Sequence, residues 1–335
     1  MTQNVVPRSL LSVIIVNWNG AQFLPRLFAS LRDQDLRDFR TVLVDNGSID
    51  ESLRLTREGF PEVDIVELGE NLGYAEANNR AAALSGAKYL LFLNNDTYLP
   101  SDSLGTLVSV AEADPSMQIL APCIKTYDGT GTLSKGIGLD VLGFPCGQDK
   151  VFYADGAAFF IHRDVFVRLG GFDAKHFMFF EETDLCWRAW LQGYRVGPAP
   201  AAIVFHMAGG TAGSSVARDG RYVTRRSKRR LSHRNQLATL LKNYSAPVLV
   251  AVLPLFAVLT LAEALLLVLS GQRAAIAEAY VPAWRDLLHD RAHIHAMRRR
   301  VQRARTVSDW VILRRMRWRI AVVDQFIHSG LPTIE

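Results

Sequence analysis

Two apolar runs of this 335-residue chain stop on acids and amides: Thr41-Val42-Leu43-Val44-Asp45-Asn46-Gly47-Ser48-Ile49-Asp50 and Tyr89-Leu90-Leu91-Phe92-Leu93-Asn94-Asn95-Asp96. A carboxylate at such a strand end can hold Mg²⁺ or Mn²⁺ through one or two oxygens while the phosphates of a nucleotide complete the shell. That is one reading of Asp96; a carboxylate capping the next helix is the plainer one. Asp45 lies inside the end of its strand, where capping does not explain it. An acceptor there can take the imide N–H of uracil or thymine. Ser48 and Asp50 read as caps of the following helix, with Gly47 supplying a permissive turn.

Three further places carry chemistry-bearing residues. Glu181-Glu182-Thr183-Asp184-Leu185-Cys186-Trp187-Arg188 opens a helix behind the apolar run Phe177-Met178-Phe179-Phe180. The helix dipole should keep the two glutamates ionised and able to accept a proton. Asp184 and Arg188 are four apart and can pair on one face, a positioning role. Asn78 and Asn79, in Asn71-Leu72-Gly73-Tyr74-Ala75-Glu76-Ala77-Asn78-Asn79, read by themselves as helix surface. His206 ends a strand before a glycine loop and suits a metal or phosphate contact, although a lone histidine is more often structural. His289, His293 and His295 have metal-like spacing in an Arg-rich helix without acid or Cys partners, so they read as surface.

These groups need elements to hold them. Residues 10–125 alternate, with strands expected at 11–17, 40–45, 63–68, 89–94 and 118–122. Helices are expected between them at 21–33, 49–59, 74–86 and 101–113. This is the βαβ rhythm of a mostly parallel sheet, whose ligands sit at the strands' carboxyl ends. Residues 126–150 read as a loop or hairpin. A strand at 156–162, helices at 163–169 and 181–192, and a last strand at 202–206 after Pro198 and Pro200 follow. The Gly/Ser/Ala-rich stretch 207–218 is expected to be mobile.

Composition narrows the class. Three Cys without a CxxC argue against a disulfide framework or zinc ribbon and fit a reducing compartment. The net charge of +5 hides an asymmetry: residues 201–335 hold 21 Lys+Arg against 8 Asp+Glu, and the first 200 hold 17 against 25. No GxxxxGK[ST], complete GxGxxG, HExxH or GxSxG occurs. The amino-terminal apolar run Leu10 to Val16 reads as a strand, not a signal peptide.

Taken together, the stretches resemble a family 2 glycosyltransferase of the GT-A fold, nearest the rhamnosyltransferase-like branch. The resemblance is carried by Asn17-Trp18-Asn19-Gly20, the Asp45 and Asp96 runs, Asn71 to Asn79, Gly170-Gly171-Phe172-Asp173, Glu181 to Arg188 and His206. It implies a GT-A domain over 1–220, with a nucleotide-sugar half at about 10–125 and an acceptor half at about 126–220. It implies Asp45 on the nucleobase, Asn17, Asn78 and Asn95 on the donor, and Asp96 with His206 at a divalent metal (Mg²⁺ or Mn²⁺). Glu182 falls where the family carries the Asp of its ED motif, the general base, and Glu181, Asp184 and Arg188 lie on the acceptor side. Glu for Asp moves the carboxylate by about one bond length. The implied reaction is inverting transfer from a nucleotide-sugar, dTDP-rhamnose or a UDP-sugar, to a saccharide or polyprenyl-diphosphate-linked acceptor in surface polysaccharide assembly. The alternatives are a sugar nucleotidyltransferase, which carries a GxGTR-like loop where this chain has Asn17 to Gly20, and a non-catalytic membrane-associated scaffold of the same fold.

The region 221–335 is basic, apolar and helical. Ala246 to Ser270 is long enough to span a bilayer, which needs ~20 residues. Yet 271–335 carries 12 Arg and no Lys, and the positive-inside rule wants that segment in the cytosol, where the donor is. A re-entrant or interfacial helix, broken near Pro254, satisfies both; a buried helix of a soluble protein is the plainer alternative. The expected location is the cytoplasmic face of the membrane, against an anionic surface. Nucleic acid is not an expected partner, since no aromatic-interleaved RNA motif accompanies the basic cluster at 221–234.

Overall fold

The computed structural model describes residues 9–147, 150–207, 216–218 and 221–335. The chain forms two compact units. The first comprises Met1–Ile137, Val151–Ala189 and Tyr194–Ala212; the second comprises Gly138–Lys150, Trp190–Gly193 and Gly213–Glu335.

In the first unit the strands are β1 (Leu11–Asn17), β2 (Phe39–Asp45), β3 (Asp64–Glu67), β4 (Tyr89–Asn94), β5 (Thr97–Tyr98), β6 (Ile119–Thr126), β7 (Thr132–Ser134), β10 (Ala158–His162) and β11 (Val196–His206). They make one sheet in the order β3-β2-β1-β4-β10-β6-β11-β5, with β7 on β6. The first four strands are mutually parallel, in a register that faces Asn17 with Asp45 and Val16 with Asn94. The carboxyl ends of β1, β2 and β4 are therefore level, and the chain reverses sheet direction across β1, where ligands of open α/β sheets bind.

The rest of the sheet departs from the parallel expectation. β10 is inserted antiparallel between β4 and β6, and β5 pairs antiparallel with β11. The sheet is mixed. Strand direction was not legible because Ala158-Phe159-Phe160-Ile161 is buried on both faces whichever way it runs. The last strand begins six residues earlier than expected and contains both prolines. They are tolerated because they are exposed and lie beside a register shift between Ala199 and Ile203.

Helices α1 (Leu24–Arg32) and α4 (Ser103–Ala113) cover one face. Their Leu24, Leu27, Phe28, Leu104 and Leu107 pack on Val13, Ile15, Leu91 and Phe160 in a single core. α2 (Ser52–Gly59), α3 (Gly73–Leu84), α5 (Arg163–Leu169) and α6 (Glu181–Leu191) complete the unit. Phe92 gathers the rings of Phe159, Phe166 and Phe172 at centroid distances of 6.3, 4.9 and 5.0 Å. α5 ends on Gly170 in the left-handed conformation (φ 84°), which turns the chain toward α6.

The second unit holds a hairpin of β8 (Gly138–Leu139) and β9 (Pro145–Cys146) and a small sheet of β12 (Val216–Arg218), β13 (Arg221–Thr224) and β14 (Thr333–Ile334). Its helices are α7 (Arg226–Asn243), α8 (Ala246–Leu269), α9 (Arg273–Ala275), α10 (Val281–His289), α11 (Arg291–Ala304), α12 (Asp309–Leu313) and α13 (Ala321–Ser329). The stretch expected to be mobile, 207–218, falls largely on residues 208–215, outside the described residues; Val216–Arg218 within it form β12.

The basic cluster at 221–234 is not an open cationic face. Arg226 pairs with Glu278 and Arg230 with Asp286, each at 2.7 Å, and Arg229 and Arg234 pair with Glu263 and Asp290. The one charge of the apolar run, Glu263, thus meets an arginine of α7. α8 also runs unbroken through Pro254, against expectation. The lost backbone bond costs ~3 kcal/mol, which a cooperative helix of 24 residues absorbs. Only 17% of its most apolar 18-residue window is buried. Val250, Val258, Leu261, Leu265 and Leu269 form an exposed apolar face.

Candidate active site

The carboxyl ends of the parallel strands carry a linked set of polar side chains. Asn95 Nδ2 donates to Asn17 Oδ1 at 2.8 Å, and Asn17 Nδ2 donates to Ser48 Oγ at 3.2 Å. Ser48 Oγ also accepts from the backbone N–H of Asn19 at 3.0 Å. Ser48 therefore pins the loop after β1 and does not cap α2; that expectation fails because the nearer donors belong to another strand's loop. Asp50 Oδ1 does accept from Ser52 N–H at the start of α2, at 3.1 Å, and its Oδ2 accepts from Ala21 N–H at 2.9 Å.

Asp45 is buried. Its Oδ2 accepts from Ser48 N–H at 3.1 Å, and its Oδ1 has no hydrogen-bond partner. A buried carboxylate oxygen without a donor is costly, and this one is left free to accept a further N–H.

Gly20 is required for close approach. A Cβ there would stand 2.2 Å from Asn95 Nδ2 and 2.4 Å from Asn17 Oδ1. Gly20→Ala is expected to break the Asn17–Asn95 bond and weaken donor binding by roughly tenfold, the worth of one good buried hydrogen bond. Equilibrium binding of nucleoside diphosphate, with the melting temperature as control, checks it.

At the end of β4, Asp96 Oδ1 lies 3.1 Å from His206 Nε2 at the end of β11. Asn94 Nδ2 stands 3.4 Å from the same nitrogen. A carboxylate oxygen and an imidazole nitrogen this close need a proton or a cation between them. One carboxylate and one imidazole suit Mn²⁺ or Mg²⁺, with remaining positions left to phosphate and water. Among the described residues no group of three or more His, Cys, Asp or Glu gathers as a complete protein cage. His289 and His295 are exposed and His293 half-buried, none in such a group.

The second cluster is acidic. Glu181 and Glu182 open α6, and each has an Oε2 that is buried without a hydrogen-bond partner. Burial raises the Glu181 carboxyl to about 7. Burial, then the charge of Glu181, then that of Asp155, hold Glu182 well above the usual carboxylate range. The expectation that both stay ionised is overturned. A helix N-terminus offers about 0.3–1 kcal/mol, whereas enclosing an unpaired carboxylate costs several.

Two members of this cluster escaped sequence reasoning: Asp155, in the loop before β10, and Tyr74, on the first turn of α3. The Tyr74 hydroxyl donates to the carbonyl of Gly156 at 3.0 Å. Its own ionisation is pushed well up by burial and by Glu181, Glu182 and Asp155. Only chain folding brings α3, the β10 loop and α6 together, and no short-range pattern signals it.

Stability should follow the proton. Glu181 has a folded value of about 7 against an ordinary 4.5, so the folded chain holds a proton that the unfolded chain releases earlier. That contribution is complete below about pH 4.5 and is lost as pH rises through 7, at up to ~1.4 kcal/mol per pH unit. The melting temperature should fall between pH 5 and 8, and fall less steeply in Glu181→Gln.

Asp184 and Arg188 lie apart from solvent. Arg188 Nε donates to Asp184 Oδ2 at 2.8 Å, and its other nitrogens donate to the carbonyls of Leu169 and Gly171 at 2.7 and 2.9 Å. The pair ties α6 to the turn after α5 and offers no surface to an acceptor. Asn78 and Asn79 are not helix surface either. Asn78 is fully buried with Nδ2 on the Tyr74 carbonyl at 3.0 Å, and Asn79 brackets Phe172 through both its backbone groups at 2.9 Å. Before α6, Phe177, Phe179 and Phe180 adopt left-handed φ values of 60°, 70° and 70°. Such backbone costs ~1–3 kcal/mol per residue and concentrates at functional sites.

Residues 12–170 match the model of Glycosyl transferase family 2. That match takes in just under half of the chain. Among curated proteins it is similar to the N-acetylglucosaminyl-diphospho-decaprenol L-rhamnosyltransferase of Mycobacterium tuberculosis, 27% identical over 232 residues, covering 59% of this chain and 76% of that protein. The Low-salt glycan biosynthesis hexosyltransferase Agl10 of Haloferax volcanii is 26% identical, covering 58% of this chain and 66% of that one. Among solved structures, the mannosyltransferase PcManGT from Pyrobaculum calidifontis in complex with GDP-Man and Mn²⁺ superposes with a TM-score of 0.53 at 19% identity, covering 96% of this chain and 90% of that one. GalNAc-T7 with UDP, GalNAc and Mn²⁺ reaches 0.57 at 15% identity, covering 72% of this chain and 49% of that chain. At these identities the structures share the fold, a GT-A-like α/β unit with a mixed sheet. The protein is a glycosyltransferase of the family 2 type.

Proposed function

We propose that this glycosyltransferase moves a sugar from a dTDP- or UDP-sugar, dTDP-rhamnose first among them, to a saccharide or polyprenyl-diphosphate-linked acceptor, with inversion and with a divalent ion. The observation that carries it is the Asp96–His206 pair, 3.1 Å apart, at the same sheet edge as the orphaned Asp45 oxygen. A solved relative of the same fold holds GDP-Man and Mn²⁺, and a curated relative is named for transfer of L-rhamnose to a lipid-linked diphosphate.

In this reading residues 10–125 form the donor half, 126–220 the acceptor half, and 221–335 the membrane-associated region. Asp45 accepts the base imide. Asn17 and Asn95 hold each other and present the pair's remaining capacity to the ribose, while Asn78 acts through Tyr74. Asp96 and His206 would hold the metal, which would supply charge neutralisation at the leaving diphosphate. Glu182 takes the proton of the acceptor hydroxyl, which attacks the anomeric carbon from the face opposite the diphosphate. Glu182 must first lose the proton that its enclosure favours, so turnover rises with pH. Glu181 and Asp155 set that threshold, and the buried Asp184–Arg188 pair positions α6.

The exposed face of α8 can rest on a membrane, and we place it on the cytoplasmic leaflet. Each basic residue near an anionic surface adds about 1 kcal/mol and is screened by salt, whereas apolar insertion is not. Salt should therefore loosen but not release the chain from anionic vesicles in flotation; complete release would remove α8 from the contact.

The deciding experiment is a screen of dTDP-, UDP- and GDP-sugars with Mn²⁺ or Mg²⁺, read as nucleoside diphosphate release and sugar transfer. The enclosure that raises the Glu182 carboxyl favours a second reading, a non-catalytic scaffold of the same fold. Donor binding with no turnover for any sugar would select it. Formation of nucleotide-sugar from sugar phosphate and nucleoside triphosphate would select a nucleotidyltransferase.

A further inference from the structure

The first turn of α3 meets two chain segments that border the acid cluster of the first unit. Gly73, at φ 80°, has no room for a side chain: a Cβ there would stand 2.5 Å from the Phe177 carbonyl oxygen. The same carbonyl accepts from Ala75 N–H at 3.2 Å. Tyr74 lies between these two contacts with the segment that leads into α6. Its ring packs on Phe172, with centroids 6.2 Å apart, and Asn79 holds Phe172 through both its backbone groups. Its hydroxyl donates to the Gly156 carbonyl at 3.0 Å.

Gly156 lies against Glu182. A Cβ on Gly156 would stand 3.7 Å from Glu182 Cδ and 3.9 Å from each of its carboxyl oxygens, so the bare main chain borders the whole carboxyl. Asp155 closes the same short loop: its Oδ1 accepts from Ala157 N–H at 2.9 Å and its carbonyl from Ala158 N–H at 3.2 Å. Asp155 is thereby held beside Glu182, whose proton it helps retain. The other titratable groups that face Glu182 are Glu181 next to it on α6, Cys186 one turn further on, and Tyr74 from α3.

The Tyr74 bond therefore joins α3 to the residue whose bare Cα borders the base. We propose that Tyr74 is a positioning residue of the transfer reaction: its hydroxyl, through the Gly156 carbonyl, holds the 155–156 main chain against the Glu182 carboxyl and fixes the place from which that carboxylate takes the acceptor's proton. The proposal rests on the reading of Glu182 as the base, and adds what keeps it in place. Loss of the hydroxyl frees the loop, Asp155 moves with it, and water reaches the carboxyl. Both changes ease the ionisation of Glu182, and both loosen its alignment with the reacting hydroxyl.

The test compares Tyr74→Phe and Gly156→Ala in the full chain, read as release of dTDP from dTDP-rhamnose into water with Mn²⁺ as a function of pH. Tyr74→Phe keeps the ring on Phe172 and removes only the oxygen. Its plateau should fall about tenfold, the worth of one buried hydrogen bond, with donor KM unchanged, and its climb with pH should move to lower pH. Gly156 is outside the left-handed region, and an alanine there meets Glu182 at ordinary contact distance. The added methyl covers the carboxyl, so in Gly156→Ala the climb should move to higher pH. An infrared titration of the protonated-carboxyl band that Glu182→Gln deletes should give the same two opposite shifts with no sugar present. A lower melting temperature in Tyr74→Phe with the climb and the band unmoved overturns the proposal, leaves the transfer reading intact, and makes the bond a support of the fold only. If Tyr74→Phe does not fold, Gly156→Ala decides, and an unmoved climb and band overturn the proposal. A band that shifts in both variants of a chain that transfers from no nucleotide-sugar upholds the hold of Tyr74 on Glu182 and removes the reading of Glu182 as the base.

Discussion

Asp96→Ala should remove transfer activity, with a fall of at least about 10²–10³, the cost of losing a main electrostatic stabiliser of a leaving group. Asp96 Oδ1, just past β4, and His206 Nε2, at the end of β11, offer a carboxylate and an imidazole 3.1 Å apart to one ion. Without the carboxylate, His206 is a single ligand and cannot hold Mg²⁺ or Mn²⁺ against water. The readout must therefore go beyond turnover. Mn²⁺ binding followed by electron paramagnetic resonance, in the presence of nucleoside diphosphate, should disappear in Asp96→Ala and weaken in His206→Ala. The melting temperature should hold, since Asp96 ends a strand whose apolar residues Leu91 and Leu93 carry the packing. Full turnover of either the variant or the wild type in EDTA would sink the metal assignment.

Glu182→Gln keeps the shape of the side chain and removes its capacity to accept a proton. Turnover should fall by ~10²–10⁴, with donor binding little changed. Stability should hold, because burial already raises this carboxyl and favours its neutral form, which the amide resembles. The pH profile separates this role from a structural one. Wild-type turnover should climb with pH as Glu182 loses its proton, and the climb should be absent from the residue left in Glu182→Gln. Glu181→Gln removes a neighbouring negative charge that raises Glu182, so the climb should move to lower pH. Near-normal turnover in Glu182→Gln with a dead Glu181→Gln would transfer the base to the neighbour.

The fold was legible where local pattern and burial agree. The runs ending at Asp45 and Asp96 are mostly apolar, and both form strands, β4 buried up to Asn94 and β2 buried at Thr41 and from Leu43 to Asp45. Gly170 and Gly171, named among the residues that carry the resemblance, both have positive φ, as the turn between α5 and α6 requires. The order of motifs from Asn17 to His206 was enough to indicate the family that the family comparison established. Strand direction was another matter: a segment buried on both faces, such as β10, has no side that distinguishes parallel from antiparallel pairing.

Side-chain environments were not legible, because they depend on which distant elements meet. Glutamates at a helix start read as ionised when only the helix is considered. Enclosure of Glu181 and Glu182 beside Asp155 and Tyr74 reverses that. The arginines at 226–234 read as a cationic surface until Glu263, Glu278, Asp286 and Asp290 are seen beside them. By itself the sequence determined the elements, the polar strand ends and the family, because those rest on residue type and short spacing. Tertiary structure alone decided which carboxylates keep a proton and which arginines are paired, because desolvation and ion pairing act through space between segments far apart in the chain.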